Sequence, residues 1–510
     1  SYQTLLADAA LLTRLQRQYD YIQVDEAQDN SKLQNEIIKL LVTPANNLFM
    51  VADDDQTIYE WRGSDPEGVL KFQSHYNYSQ IYRMEQNFRS SQDIVSLSNQ
   101  FIKSNLNRYD KNLMTRNPSY QPIEIVKLGL FEDQSDYLIK ALKSKKGALS
   151  KYAVLFRNNL SVIPLAHRLE QEGIDFGTKG YSGYFFTHWV VTDIKDFLMF
   201  ALQPDRTYLL DRIYYKNDAF ISKKIFEMAK GNVNSKTGIF DAIHGASELK
   251  SFQKKKIIQL KHQFKNLANK PIGHAIDHIE NELGYSGWLA NSAGRLGVSF
   301  EGAKNILAIL KYITKGCKDF YGFINRLDTL QKILGASVNN LNPNALVLST
   351  LHSSKGLEFD AVFMIDLVKG IFPSDEALNS KKLLEAERRL FYVGMTRARY
   401  NLYLLSGNER TLNPSIFVKE VDKLLHPEKY EVQSLKEADR LYKLKKPEKK
   451  PKKITYPASY VRHDRVKHRT YGDGVVVDVL ETCIIIEFKD GQSKRFGLEF
   501  VLQNGLIEKV

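Results

Sequence analysis

Apolar residues recur at Leu5, Leu6, Ala9, Leu12 and Leu15, the spacing of one helical face, and predict a helix over 3–18. A β-prone run follows at Tyr21, Ile22 and Val24, then a helical stretch over 31–42 and a second apolar run, LFMVA, at 48–52. Each run ends in polar residues: Asp25, Glu26, Gln28 and Asp29 after the first, Asp53, Asp54, Asp55 and Gln56 after the second. Two neighbouring strands that finish in acids and amides predict one shared polar edge of an open α/β sheet, where ligands sit.

From Gln80 the pattern changes to IYRMEQNFRSS, a helix, and short strands at 122–128 (PIEIVKL) and 152–156 (YAVLF), which begin a second α/β unit. Residues 188–335 read as helix throughout, with amphipathic segments at 250–268 and 301–316. Strand signal resumes at 346–351, 361–366 and 402–406. The helical block is therefore expected to interrupt the second unit as an insertion. Residues 407–455 hold helical pieces and then the Lys- and Pro-rich run 443–453, which reads as a solvated linker. Beyond it, 474–479 and 483–496, with Asp490-Gly491 as a hairpin turn, predict a small β-barrel of about fifty residues.

Length changes this picture little: 510 residues with 43% hydrophobic content accommodate several cores, about three or four domains. Charge changes it more. Seventy-two basic against 59 acidic residues leave +13, which suggests a polyanionic partner and equally serves solubility. No apolar run is long enough to span a bilayer, so nucleic acid is expected rather than membrane. The two cysteines, Cys317 and Cys483, lie far apart, which argues against a disulfide framework or a Cys-rich zinc site and fits a cytoplasmic protein.

The first acid tip has the Walker B layout. Asp25 is placed to hold Mg²⁺, and Glu26 to accept a proton from the water that attacks a γ-phosphate. No GxxxxGK[ST] phosphate loop occurs in the 510 residues, and the chain opens at Ser1 only about twenty residues before the acids. It is expected to lack its true N-terminus and, by itself, to hydrolyse no ATP.

In order, VDEAQD (24–29), ADDDQTIYEWRGS (52–64), EQNFRSS (85–91), STLHSSKGLEFDAVF (349–363) and RRLFYVGMTRAR (388–399) resemble motifs II to VI of the superfamily 1 DNA helicases of the UvrD, PcrA and Rep type. The resemblance implies an α/β protein with RecA-like P-loop NTPase domains, one partial and one complete, an all-helical insertion and a C-terminal Tudor/SH3-like β-barrel. It places the end of the first motor domain at 1–80, the second at 81–187 and 341–410, the insertion at 188–340, a linker at 411–456 and the barrel at 457–510. The implied activity is ATP-dependent 3′-to-5′ translocation on single-stranded DNA and unwinding at single-strand/duplex junctions, in repair or replication restart.

By the same resemblance Gln56 senses the γ-phosphate; a neutral amide can bond phosphate or water without adding charge. Arg89 and Arg397 reach that phosphate across the cleft as arginine fingers do, and Glu358 takes the ATP ribose hydroxyl. Tyr59, Trp61 and Arg62 form a DNA-binding segment, where aromatic faces stack on bases for about 1–3 kcal/mol each. His352 and Lys355 fall in a coupling and DNA-contact segment. Arg388, Arg389 and Arg399 read as the face of a solvated basic helix. The tail at 461–479 implies contact with RNA polymerase or repair proteins. Two departures from the family pattern stand out: Ala52 replaces a usual Gly, and 213–226 lacks the GIG-type turn that touches duplex DNA. Rival readings are a RecB/AddA-type helicase-nuclease motor, disfavoured by the basic linker and barrel where a nuclease domain would sit, and a non-catalytic DNA- or RNA-polymerase-binding remnant.

Overall fold

Ile22 and Val24 sit in β1 (Ile22–Val24), which pairs in parallel with β2 (Leu48–Met50) at Ile22↔Leu48 and Val24↔Met50. The ladder runs on past both strands: Val51 N–H donates to the Val24 carbonyl (2.8 Å) and Ala27 N–H to the Val51 carbonyl (2.9 Å). The two acid tips therefore leave the sheet at the same edge. The helix between the strands, Lys32–Val42, starts at a capping box in which Ser31 Oγ accepts the Gln34 N–H and Gln34 Oε1 accepts the Ser31 N–H. The helix expected over 3–18 is two, Tyr2–Ala7 and Ala9–Gln16. Asp8 breaks it: its backbone is extended and its carboxylate caps the Leu11 N–H at 2.9 Å.

This computed structural model describes residues 1–129, 132–144, 147–234, 236–340, 342–408, 412–430, 460–480 and 483–510. Contacts divide the chain into two units, Ser1–Tyr430 and Glu431–Val510. The Lys/Pro-rich 443–453 lies outside the described residues, among which no helix is long and apolar enough to cross a membrane.

In the first unit, β3 (Gln86–Asn87) and β4 (Met114–Thr115) form a short parallel pair. A six-stranded parallel sheet follows, made of β5 (Glu124–Leu128), β6 (Tyr152–Phe156), β7 (Phe176–Lys179), β8 (Leu346–Thr350), β9 (Phe359–Leu367) and β10 (Ala398–Gly407), in the order β5-β10-β9-β6-β8-β7. Its central strands read as continuous apolar runs because both faces are covered. Ala153, Leu155, Val362, Met364 and Leu404 face one core with Phe101, Phe391 and Phe417 from the covering helices. Val154, Phe156, Phe363 and Leu405 face the other. The helical block joins β7 to β8, which are neighbours in the sheet, and its core, including Phe197, Phe264 and Phe323, is continuous with that second face. The helix Ser251–Leu267 buries Ile257, Leu260, Phe264 and Leu267 on one stripe and leaves Lys255 and Lys261 outside, as its periodicity predicts.

The second unit is a small antiparallel sheet of β11 (Arg465–His468), β12 (Gly472–Val479), β13 (Cys483–Phe488), β14 (Ser493–Gly497) and β15 (Ile507–Lys509), in the order β14-β13-β12-β11-β15. The expected hairpin turn joins β13 to β14, with Gly491 at φ 77°. Where a barrel is expected, the two end strands of this sheet are not paired with each other.

Phe391, fully buried, has ring centroids of Phe101, Phe372 and Phe417 within 5.1, 5.5 and 5.4 Å. All three tryptophans, Trp61, Trp189 and Trp288, lie in the first unit, so their fluorescence reports its unfolding alone. Phe391→Ala is expected to lower that unit's stability in urea by about 3–5 kcal/mol.

Candidate active site

Where β1 ends, Glu26 is forced to φ 50°, a left-handed conformation a glutamate rarely takes. Its N–H donates to Asp25 Oδ1 (2.8 Å), and both acids are exposed. Gln28, fully buried, donates to the Glu26 carboxylate and accepts the Asp53 N–H on Oε1 (3.1 Å). One side-chain amide thus ties the first acid tip to the second. Ala52 is not among the residues with positive φ, so its Cβ carries no backbone penalty.

The second tip is saturated with charge. Lys111 Nζ lies 2.6 Å from Asp54 Oδ1 and 3.1 Å from Asp55 Oδ2, and also bonds Asp53 Oδ1. Arg108 grips Asp55 with two bonds, of 2.9 and 2.7 Å, and the Tyr109 N–H holds Asp54 Oδ2 at 2.8 Å. Burial pushes the Asp53 carboxyl up, but Lys111 and Gln56 outweigh it and hold it below the usual range. For Asp55 burial wins over Arg108 and the pKa rises. Three clustered carboxylates could hold a metal ion; here two cationic side chains already occupy them.

Gln56 donates from Nε2 to Asp53 Oδ2 (2.6 Å), which turns its Oε1 toward Arg397 Nη2 (3.5 Å). Arg397 is 1% exposed. Its guanidinium donates to the Val393 carbonyl (3.0 Å), the Leu357 carbonyl (3.2 Å) and Thr396 Oγ1 (3.0 Å), and it makes no ion pair among the described residues. Burial, with Arg89 nearby, lowers its pKa to about 10, which leaves it charged at neutral pH. Arg89 Nε bonds Glu358 Oε2 (2.6 Å), and Arg399 holds the other oxygen, so the Glu358 carboxyl sits below its ordinary range. Arg89, Glu358 and Arg399 line an open cleft of about 750 Å³ with Phe88, Tyr120 and Tyr400.

Lys355, expected to face DNA, points inward. Its Nζ bonds Asp29 Oδ2 (2.6 Å) and the Gln56 carbonyl (3.1 Å), lies 3.3 Å from Glu26 Oε2, and its side chain is 7% exposed. The solvated-helix reading of Arg388 and Arg389 is corrected, since both are buried. Arg388 pairs with Glu420 against the rings of Phe101 and Phe417, while Arg389 donates to the Thr57 carbonyl (3.1 Å) and pairs with Glu60. Arg399 is the partly exposed member of the three.

The rings gather beyond Glu60. Trp61, 66% exposed, meets His352 edge-on at 6.1 Å, the Arg62 guanidinium lies 4.6 Å over the Trp61 ring, and Tyr59 OH donates to the His352 carbonyl (3.0 Å). Tyr59, Trp61, Arg62 and His352 thus form one patch. Glu26, Gln56, Lys355 and Arg397 are linked by polar contacts, with Asp25 beside Glu26, while Arg89 and Glu358 line the open cleft. Sequence reasoning assigned no role to Gln28, Phe88, Arg108 or Lys111. An aromatic residue directly before Arg89 was a readable signal for Phe88, which is 81% exposed; the other three carry none that is local.

Residues 1–77 match the family described as UvrD/REP helicase N-terminal domain, and residues 82–409 match the UvrD-like helicase C-terminal domain. Similar proteins include YjcD of Bacillus subtilis, 31% identical over 82% of this chain and 56% of its own length. The ATP-dependent DNA helicase PcrA of Bacillus subtilis is 28% identical over 91% of this chain and 67% of its own. The ATP-dependent DNA helicase Rep of Buchnera aphidicola is 28% identical over 78% and 64%. The chain therefore spans between about half and two thirds of these relatives.

Burial, and then Arg157 and Arg62 nearby, push the His352 pKa down to about 4. Its unfolded value is near 6.5. Between the two the unfolded chain binds the extra proton, so stability rises with pH from about 4 to 6.5 and levels off above. His352→Gln is expected to flatten that slope in urea titrations across this window. The share of His167, also pushed to about 4 by burial and then Arg326, remains.

Proposed function

This chain belongs to the UvrD-like helicase family, and we propose that it carries the ATP cleft and strand-gripping loop of an ATP-dependent 3′-to-5′ DNA translocase and helicase. One observation carries the reading: Arg397 is a buried guanidinium bonded to carbonyls, a hydroxyl and the Gln56 amide, with no ion pair among the described residues. A buried cation without a counter-ion is costly, and an anion entering the cleft offsets that cost. The γ-phosphate of ATP is that anion in this proposal.

The residues present suit a nucleotide: Arg89, Arg399, Glu358 and the exposed Phe88 ring share one open cleft, and Arg397 lies outside its lining, beside Gln56. Arg89 and Arg397 would meet the γ-phosphate, Glu358 the ribose, and Phe88 the face of the base. Asp25 would hold Mg²⁺, since its Oδ1 takes the Glu26 N–H and no hydrogen bond from the described residues engages Oδ2. Bound ATP and Mg²⁺ supply the transferred phosphoryl and the neutralising charge. Glu26 takes the proton of the attacking water. Gln56 reports phosphate occupancy to Trp61, five residues along one loop, whose exposed ring stacks on bases while Arg62 meets a phosphate.

The domain reading of 1–80, 81–187 with 341–410, 188–340, 411–456 and 457–510 is part of this proposal, as are a Tudor-like kinship of the second unit's small antiparallel sheet and its contact with RNA polymerase or repair proteins. So are the substrates, single strands and single-strand/duplex junctions, and a cytoplasmic role in repair or replication restart.

The intact gene product is expected to hydrolyse ATP faster with single-stranded DNA present. Glu26→Gln should lower kcat by about 100-fold or more. Trp61→Ala should weaken binding of a labelled oligothymidine by about 1–3 kcal/mol in fluorescence anisotropy. Absence of DNA-stimulated turnover, or turnover indifferent to Glu26→Gln, would overturn the reading.

A further inference from the structure

We propose that Lys111 is a positioning residue for Gln56, acting through Asp53; this deepens the motor reading above and rests on it. Lys111 and Arg108 come from the part of the chain matched by the C-terminal family, the three aspartates from the part matched by the N-terminal one. Each carboxylate has its own partners: Asp55 takes Arg108, Asp54 takes the Tyr109 N–H, and Asp53 gives one oxygen to Lys111 and the other to Gln56. Lys111 is the cation common to all three.

An amide has a donor end and an acceptor end. Pinning Gln56 Nε2 on Asp53 Oδ2 at 2.6 Å aims Oε1 at Arg397 Nη2. Were the amide reversed, its NH₂ would face a guanidinium, donor against donor, so the Asp53 carboxylate sets the polarity of Gln56. That carboxylate keeps its place among two like charges because Lys111 neutralises them, while Gln28 fixes the Asp53 backbone from the Glu26 side. The orientation of Gln56 thus depends on engagement of both matched parts, and a shift of the 108–111 segment away from the aspartates releases it.

In the intact gene product, Lys111→Met is expected to lower the kcat of DNA-stimulated ATP hydrolysis by about 100-fold while KM for ATP moves within about threefold. Lys111→Arg should recover most of the rate. Lys111→Met combined with Gln56→Ala should be no slower than Gln56→Ala alone. An unchanged kcat, or additive losses in the double variant, would overturn the role of Lys111 while leaving the motor reading intact. If the wild type shows no turnover, the motor reading fails instead. Hydrogen exchange on this chain then decides the Lys111 contact: the Gln56 and Thr57 amides should exchange faster in Lys111→Met with β9 unchanged. Unchanged exchange there, or loss of protection across β9 as well, would overturn it.

Discussion

The structure turns on how the loop of residues 53–62 is held. A two-stranded sheet such as β1 and β2 is too small to be stable alone, so its acid-tipped edge needs support from elsewhere. That support comes from later in the chain. Ile58 inserts into the core that contains Phe391, Arg389 takes the Thr57 carbonyl, Tyr59 bonds the His352 carbonyl, and Lys355 takes the Gln56 carbonyl. The aspartates at the start of the loop are clasped by Arg108 and Lys111. Acids come from the first 77 residues and cations from those that follow, and the loop lies between them.

Within that frame the charges fall into two classes. Lys111, Arg108 and Lys355 are paired, and removing Lys111 or Lys355 leaves a carboxylate without its counter-charge, the costly outcome for groups withdrawn from water. Arg397 is unpaired. It is kept dry by the fold and solvated only by carbonyls, a hydroxyl and the edge of Gln56, a dipolar environment that reorganises little when a charge arrives. The paired groups hold the loop in place, and in the proposed function Arg397 supplies the affinity for a phosphate.

Much of this was legible in the sequence where the signal was local. Apolar runs located β1, β2, β5, β6, β8, β9 and β10, the helical block was plain from its periodicity, and Asp490-Gly491 marked its hairpin. The shared edge of the two acid tips followed from two neighbouring apolar runs that both end in acids and amides. Ion pairing was not legible, because Arg108 and Asp55 lie 53 residues apart, and Lys355 and Asp29 lie 326 apart. Arg388 and Arg389 read as solvated because arginines are rarely buried without partners, and theirs, Glu420 and Glu60, are 32 and 329 residues distant. Asp8 broke the first helix through its own side chain, a preference visible in its residue type but masked by the apolar spacing around it. Closure of the C-terminal strands depends on how the ends of the sheet meet, which alternation along each strand does not encode.

The aromatic patch shows how pairing inside the protein shapes what is offered outside. Glu60 is turned inward, where it neutralises Arg389 and lies 3.5 Å from Lys382. His352 is uncharged at neutral pH through burial and the arginines around it, so it can meet the Trp61 edge and pass its carbonyl to Tyr59 without adding a cation. What remains facing solvent is the Trp61 ring with the Arg62 guanidinium over it, a flat apolar face with one positive charge. In the proposed role that face suits any base with its adjoining phosphate, since stacking does not depend on base identity. Turning Glu60 inward and keeping His352 uncharged leaves the face with neither a repelling carboxylate nor a second cation, so its fitness for such a partner comes as much from what is withheld as from the Trp61 ring.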